Sequence, residues 1–304
     1  MFFQRSVKRN NMSPKNARIL LFFVFAARGT SFLFSKRLLA DLAPFSILAV
    51  RFLLSFLVLS LVFSKKILRL SWDSLRGGLI LGMLYTLVMT LEMYGLRLID
   101  SGVSSLIENM AIVLVPLFTA ALIRKWPEKR TMLCAFLAVA GVGFLSLTQS
   151  ESPNGALGIF LVIMAAVCYA VCIMATARVS REGDPLTIGI LQLGTMGVLS
   201  LAASLLTTGG VTFPQTGSQW LFMLLLVLLC SSFGFAFQPL GQKYLPAEEA
   251  AVMTVINPLT ASILGIFAAG ENITLLKIIG YILILLALYL YNARKRNAEK
   301  DDEH

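Results

Sequence analysis

Apolar residues fill ten long stretches of this chain, and short polar stretches separate them. A helix that crosses the hydrocarbon core of a bilayer needs about 20 mostly apolar residues, and each stretch approaches that length. Turn-forming residues stand between several stretches, as in the Pro-Asn-Gly run over 153–155. The pattern predicts an all-α membrane protein. Its ten transmembrane helices run over residues 18–39, 44–63, 77–98, 102–123, 130–148, 155–178, 186–207, 218–239, 247–268 and 273–292.

The composition agrees with this class and excludes the soluble ones. Hydrophobic residues make up 57% of the 304 residues and charged residues only 14%, against about 25% charged in a soluble domain. Mean hydropathy is +0.81. A soluble enzyme, a nucleic-acid-binding protein and a disordered regulator are therefore poor interpretations, and no nucleic-acid partner is expected.

The distribution of Lys and Arg predicts the orientation. The two tails and alternate loops together hold 20 of the 26 basic residues, the opposite side holds four, and two lie inside spans. Cytoplasmic loops carry the excess of positive charge, so both termini are predicted in the cytoplasm. The start of the chain is polar and basic and lacks the pattern of a cleaved signal peptide. We expect a multi-pass protein of a bacterial cytoplasmic (inner) membrane.

The two halves of the chain align with each other. Arg28 precedes Pro44 by the same sixteen residues that separate Tyr169 from Pro185. With five spans in each half, the second copy enters the membrane inverted, which is typical of transporters. The sequence thus predicts a cytoplasmic tail over 1–17, a first repeat over 18–148, an extracytoplasmic linker over 149–154, a second repeat over 155–292 and a cytoplasmic tail over 293–304.

Four charged residues lie inside predicted spans: Arg28, Arg51, Glu92 and Glu108. Each costs about 2.5–3.5 kcal/mol at the centre of a membrane helix, so such residues face protein or a water-filled cavity. Counted from the helix ends, Arg51, Glu92 and Glu108 lie at one depth, roughly 9–11 Å below the outer boundary at 1.5 Å per residue. We expect these three to form a buried ion network. Arg28 lies nearer the midplane without an obvious partner and is predicted to face the cavity.

The alternative is that Arg51 pairs with Glu92 or Glu108 only to hold helices together.

In the alignment of the halves, Arg28 falls on Tyr169, Arg51 on a glutamine, Glu92 on another glutamine and Glu108 on a threonine. The charge is thus confined to the first repeat. Further substrate-binding or coupling candidates, taken from this alignment and from shared helix faces, are Ser31, Tyr85, Tyr169, Gln192, Gln238, Thr254 and Asn257.

The remaining reactive residues point to no catalytic or metal site. The four cysteines lie in apolar runs, where they pack as small apolar residues, and the single histidine is the last residue, His304. The sequence has no phosphate-binding loop and no metal-ligand cluster. An enzyme is therefore not expected, and neither is a cofactor or a bound metal.

Several local patterns resemble one family of membrane proteins. The runs Gly29-Thr30-Ser31-Phe32, Pro44-Phe45 and Arg51-Phe52, and later Asn257-Pro258, resemble the EamA type of the drug/metabolite transporter superfamily. The resemblance covers about residues 18–292. It implies two inverted five-helix repeats around a central cavity, alternating access, and transport of small organic solutes, often outward.

The sequence thus predicts a secondary active transporter, and in particular an exporter, of small organic metabolites, with amino acids or related zwitterions favoured. Arg28 is expected to meet a carboxylate, and Glu92 or Glu108 an ammonium group or a proton. Membrane lipid surrounds the protein, which is expected to be a monomer or a homodimer. The alternatives are a proton-independent exchanger or facilitator of metabolites or drugs, and an adaptor that transports nothing.

Overall fold

The computed structural model describes residues 12–68, 70–124, 154–254, 256–269 and 274–301, and scattered positions between 129 and 144. Throughout this described part of the chain, all regular secondary structure is helical. The elements are α1 (Pro14–Leu38), α2 (Pro44–Val62), α3 (Ser64–Ile67), α4 (Trp72–Leu98), α5 (Ser101–Glu108), α6 (Ala111–Leu122), α7 (Gly155–Glu182), α8 (Pro185–Thr208), α9 (Gly217–Leu225), the π-helix π1 (Leu226–Phe235), α10 (Ala236–Gln242), α11 (Ala247–Met253), α12 (Ile256–Ala269) and α13 (Leu275–Asp301).

Seven helical stretches among the described residues are long and apolar enough to cross a membrane. Five are the single helices α1, α2, α4, α7 and α8. The other two are composite: α5 with α6, and α9 with π1 and α10. All seven coincide with predicted spans. The span predicted over 247–268 is divided between α11 and α12, and the tenth overlaps α13. Most of the fifth predicted span and most of the linker after it lie outside the described residues.

Proline and capping residues fix where several helices begin. Pro44 opens α2 and Pro185 opens α8, which suits the first helical turn because its N–H groups have no partner in the helix. The Asp184 side chain caps α8 by accepting from the Thr187 N–H, whereas Ala43 gives α2 no side-chain cap. The two halves therefore begin equivalent helices with the same proline and with different caps.

The helices of the two halves interleave. Helix α4 packs against α7 and α8, and α2 packs against α8. Helix α1 packs against π1 and α12. The main core is consequently built from residues of both halves, so neither half encloses a core of its own.

Glycines allow the closest of these contacts. A Cβ added at Gly95 on α4 would lie 2.9 Å from the carbonyl oxygen of Gly158 on α7, and one added at Gly158 would lie 3.2 Å from the carbonyl oxygen of Gly95. Gly78 and Gly82 of α4 likewise face the backbone of α8 at Gln192. Small residues at these positions let helix backbones approach in a membrane, as the spacing of Gly78 and Gly82 predicts.

Basic side chains close the helix ends on the side predicted to be extracytoplasmic. The Lys36 Nζ donates to the carbonyl oxygens of Leu96 and Ile99 at 2.7 and 2.8 Å. Arg37 donates to the Ala268 carbonyl oxygen at 2.7 Å. The last carbonyls of a helix have no partner within it, so these cations tie the end of α1 to the ends of α4 and α12.

Candidate functional site

Every predicted site residue is buried, with an exposed fraction of 6% or less. These residues are Ser31, Arg28, Arg51, Tyr85, Glu92, Glu108, Tyr169, Gln192, Gln238, Thr254 and Asn257. Burial of so many polar groups in an apolar bundle is costly unless they find partners. Which partners they find decides what each residue can do.

Arg28 is the centre of a hydrogen-bonded chain that joins the two halves. Its Nη1 donates to the Tyr169 hydroxyl at 3.0 Å and to the Gln238 Oε1 at 2.5 Å. The Gln238 amide in turn donates to the Tyr85 hydroxyl at 2.9 Å. The prediction that Arg28 lacks a partner is therefore wrong. Its partners are neutral groups contributed by the second half, which an inventory of charged residues does not reveal.

Aromatic rings enclose the Arg28 guanidinium. Its Cζ lies 4.1 Å from the centre of the Phe235 ring and 5.1 Å from that of Tyr169. The Tyr85 ring packs edge-on against both of these rings. Cation–π contact of this kind favours a desolvated guanidinium. Arg28 is thus held in place by hydrogen bonds and by rings from three helices.

Arg51 has a different environment. Its Nε donates to the Ser231 Oγ at 2.6 Å, whereas Nη1 and Nη2 are buried and make no hydrogen bond. Its Cζ lies 5.0 Å from the ring centre of Phe52 and 5.7 Å from that of Phe235. Phe235 therefore lies close to both guanidinium groups, with its ring centre 4.1 Å from Cζ of Arg28 and 5.7 Å from Cζ of Arg51. Two of the three nitrogens of Arg51 remain free donors.

Glu92 and Glu108 meet each other. Their side chains lie close enough to interact directly. Two ionised carboxylates can only accept hydrogen bonds, so a hydrogen bond between them forms only when the pair holds a proton. The positive charge of Arg28 attracts both carboxyl groups, and that of Arg51 attracts Glu92. These attractions act over more than 4.0 Å, because the ion pairs found among the described residues include none between these arginines and glutamates.

The predicted ion network of Arg51, Glu92 and Glu108 is consequently wrong in its pairing. Counting residues from a helix end gives depth along the axis, but it does not give the direction in which a side chain points. Arg51 turns towards Ser231 of π1, and the two carboxyl groups turn towards each other. The group comprising Arg28, Arg51, Tyr85, Glu92, Glu108, Tyr169, Phe235 and Gln238 is called the central cluster below.

Two spans are interrupted at equivalent places. Helix α5 ends at Glu108, and the chain turns at 109–110 before α6 begins. Helix α11 ends at Met253, beside Thr254, before α12 begins at Ile256. Both interruptions tighten the backbone, since Met110 N–H donates to the Ile107 carbonyl and Thr254 N–H to the Ala251 carbonyl, each three residues back. In the alignment of the halves Glu108 falls on Thr254, so the breaks coincide.

The π-helix contributes residues that the sequence analysis missed. Ser231 and Phe235 both belong to π1 and contact the two arginines. π-Helical turns are rare and concentrate at functional sites. A signal for this one exists in Pro239, which lacks the N–H that would donate to the carbonyl four residues earlier.

The structure leaves some predicted residues outside the hydrogen-bonded core of the site. The Thr254 hydroxyl donates to its own helix, at the Ala251 carbonyl. The side-chain oxygens of Gln192 and Asn257 are buried without a partner, and no side-chain bond is found for Ser31, itself a described residue. Across the described residues, no group of three or more His, Cys, Asp or Glu side chains is placed to hold a metal ion.

Comparison with known proteins identifies relatives of this chain along most of its length. The chain is 24% identical over 266 residues to an "Uncharacterized transporter" of Archaeoglobus fulgidus, covering 88% of this chain and 82% of that protein. Another transporter of the same organism is 26% identical over 192 residues, covering 63% of this chain and 67% of the relative. The uncharacterized transporter YwfM of Bacillus subtilis is 24% identical over 177 residues, covering 58% of this chain and 59% of YwfM.

A solved structure has the same fold. It is titled "Crystal structure of protein", superposes with a TM-score of 0.69 at 18% identity, and the match covers 94% of this chain and 99% of that one. The model of the EamA-like transporter family matches twice, over residues 16–147 and 156–293. The two matches cover most of the chain, one in each half. The chain is a multi-pass membrane transporter, not an enzyme, and it belongs to the EamA-like transporter family.

Proposed function

We propose that the protein is a secondary active transporter that exports small organic metabolites across the bacterial inner membrane. Amino acids or related zwitterions are the favoured substrates. In this proposal ten spans form two inverted five-helix repeats with both termini in the cytoplasm. The central cluster is the substrate site, which opens alternately to the two sides.

The packing of the helices supports the inverted repeat. Aligning the halves pairs α1 with α7 and α4 with the composite span that contains π1. The contact of α1 with π1 then has its counterpart in the contact of α4 with α7. The contact of α1 with α12 corresponds to that of α7 with α5 and α6. Each of these contacts recurs after the halves are exchanged, which is what a twofold relation between them requires.

The interrupted spans support a substrate site at the centre. Discontinuous membrane helices in corresponding positions of two repeats mark the binding site in many transporters. Here the break in one repeat carries Glu108 and the break in the other carries Thr254. The observation that carries the proposal is this coincidence of the two breaks with a buried and incompletely bonded set of charges.

The carboxyl pair supports proton coupling. Glu92 and Glu108 interact with each other and neither is in an ion pair with an arginine among the described residues, so the pair can hold or release one proton without breaking such an ion pair. The arginines supply the positive charge that meets a substrate carboxylate. An ammonium group or a proton then competes for the carboxyl pair. A proton-independent exchanger requires both glutamates fixed by arginine, and the described residues offer no such ion pair.

Flux in proteoliposomes that contain an internal pH dye tests this proposal. The reconstituted protein is challenged first with pooled amino acids and then with pools of other metabolites. Wild-type protein is expected to move protons with at least one pool. Glu108→Gln removes the shared proton site, and we expect a loss of about 100-fold, the lower range for a positioned proton-transfer group. Glu182→Gln alters an exposed carboxyl at the end of α7 and serves as the matched control.

The results separate the alternatives. Proton movement lost in Glu108→Gln and kept in Glu182→Gln supports coupled transport. Solute counterflow without proton movement favours the exchanger or facilitator, and the carboxyl pair then has a structural role. Neither flux nor counterflow with any pool points to the non-transporting adaptor.

A further inference from the structure

The two buried arginines differ in how many hydrogen bonds they make. Nη1 of Arg28 bonds to Tyr169 and Gln238, and an aromatic ring covers its guanidinium. Arg51 uses only Nε, towards Ser231. Its two terminal nitrogens are buried donors with no acceptor, and the residue as a whole is 0% exposed.

A buried charged donor without an acceptor is rare, because an unsatisfied buried group loses its hydration without replacement. The two free nitrogens of a guanidinium form a planar fork that matches a carboxylate. Two apolar rings, Phe52 and Phe235, also lie beside this guanidinium. The surroundings therefore suit an acid whose body is apolar.

The charge of the central cluster leads to the same conclusion. Arg28 and Arg51 contribute two positive charges, and the Glu92–Glu108 pair contributes one negative charge when it shares a proton. One positive charge remains uncompensated within the cluster, and Arg51 is the member with free donors. A bound carboxylate would neutralise this charge and satisfy both nitrogens.

We propose that Arg51, rather than Arg28, binds the carboxylate of an apolar organic acid. Phe235, whose ring lies beside both guanidiniums, is the side chain that we expect the apolar body of the acid to contact. The inference rests on the proposed function, because it names the chemical class that the transport site receives. It assigns Arg28 to holding the helices and the Phe235 ring in position.

Binding to the purified full-length protein in lipid nanodiscs tests this. Benzoate and benzamide have the same ring and nearly the same shape, but only benzoate carries a carboxylate. We expect benzoate to raise the thermal unfolding midpoint of the wild-type protein in a saturable manner and benzamide to leave it unchanged. Equal effects of the two compounds, or no effect of benzoate, would overturn the proposal.

Variants locate the site. Arg51→Lys keeps the charge and removes the fork, so we expect benzoate to bind at least about tenfold more weakly. Arg178→Lys makes the same change at an exposed arginine on α7 and is expected to shift binding less than twofold. Benzoate affinity in Arg51→Lys equal to that of wild type overturns the assignment to Arg51.

A measurement on wild-type protein covers the case in which Arg51→Lys does not fold. Phenylglyoxal modifies guanidinium groups that the reagent can reach, so it labels Arg51 only when the transport site opens, and mass spectrometry reports the labelled fraction of each arginine. Benzoate is expected to protect Arg51 and not Arg178, whereas benzamide protects neither. Labelling of Arg51 that is the same with and without benzoate contradicts the proposal.

These experiments do not require flux. Benzoate binding at Arg51 without proton-coupled transport of any pool would leave the carboxylate site standing and remove the proposed function. If proton-coupled transport is lost in Glu108→Gln while benzoate binding is insensitive to Arg51→Lys, the proposed function stands and the assignment of the carboxylate site to Arg51 is overturned.

Discussion

The two halves of the molecule share their backbone features and differ in the side chains placed on them. Both halves begin an equivalent helix with proline, at Pro44 and Pro185. Both interrupt an equivalent span, beside Glu108 in one half and at Thr254 in the other. The first half carries the buried charged groups Arg28, Arg51, Glu92 and Glu108, and the second half has neutral hydrogen-bonding groups at the aligned positions. The backbone features of the site are thus present in both halves, whereas its charged groups come only from the first half.

The contact between Arg28 and Tyr169 is the most direct expression of this difference, because the two residues occupy equivalent positions. Arg28→Met leaves the Tyr169 hydroxyl and the Gln238 oxygen without a donor. We expect it to lower the free energy of unfolding by roughly 3 kcal/mol, since hydrogen bonds from a charged donor contribute about 1.5–3 kcal/mol each. Tyr169→Phe removes one of these bonds and is expected to cost about 1.5 kcal/mol. Denaturant unfolding in mixed micelles measures both, and equal losses would contradict the asymmetry.

Gly29 shows a second difference between the halves. A Cβ built there would lie 2.6 Å from the Asn257 carbonyl oxygen and 2.8 Å from the Thr260 Cβ, whereas the equivalent position in the second half is Ala170, which is fully buried. Gly29→Ala is expected to destabilise the protein by roughly 2 kcal/mol, as overpacking does. Thermal unfolding of the detergent-solubilised protein reports the change. Gly210→Ala is the control, because no atom lies within 4 Å of its added Cβ, and similar midpoints for the two variants would refute the steric argument.

The helix caps give the smallest effect. Asp184 caps α8, and the equivalent Ala43 provides no side-chain cap for α2. Ala43→Asp is expected to stabilise the protein and Asp184→Ala to destabilise it, each by about 1 kcal/mol. Differential scanning fluorimetry of matched samples measures both. If Ala43→Asp leaves the unfolding midpoint unchanged, the start of α2 is held by its packing alone.

The contribution of Asp184 has a defined pH dependence. Burial acts to raise the pKa of this carboxyl, but hydrogen bonds from Thr187 and Lys66 outweigh it and lower the pKa below its usual value. The charged form therefore stabilises the fold above about pH 3.9, the ordinary value for aspartate, and this part is lost as the pH falls through the lower folded value. The difference between wild type and Asp184→Ala should be constant near neutral pH and should narrow below about pH 4.

The sequence predicted what depends on hydrophobicity and on chain order. Seven of the predicted spans coincide with helices that can cross a membrane, and all eleven candidate residues are buried. These predictions were confirmed because a polar residue inside a long apolar run can be identified from the order of the residues alone. The alignment of the halves placed Arg28 and Tyr169 at equivalent positions, but it did not predict that their side chains meet.

The sequence analysis did not predict the pairing of the charges. Depth along an axis placed Arg51, Glu92 and Glu108 on one level, but the rotation of each helix determines which side chains meet. In π1 this rotation departs from that of an α-helix, which brings Ser231 to Arg51. The regular spacing assumed for an α-helix contains no information on such a change, and only Pro239 hints at it.

The π-helical turn has a further consequence for how this site can evolve. A π-helix holds more residues per turn than an α-helix, so π1 contains surplus chain length inside a membrane span. A wider π-helical turn accommodates an extra residue, so losing one residue between Leu226 and Phe235 would return part of the segment to α-helical winding while both ends of the span keep their orientation and depth. The ring beside the two arginines would then be replaced by a different side chain. Insertion and deletion, which a continuous α-helix in a membrane tolerates poorly, thus become a route by which relatives can acquire new solute preferences.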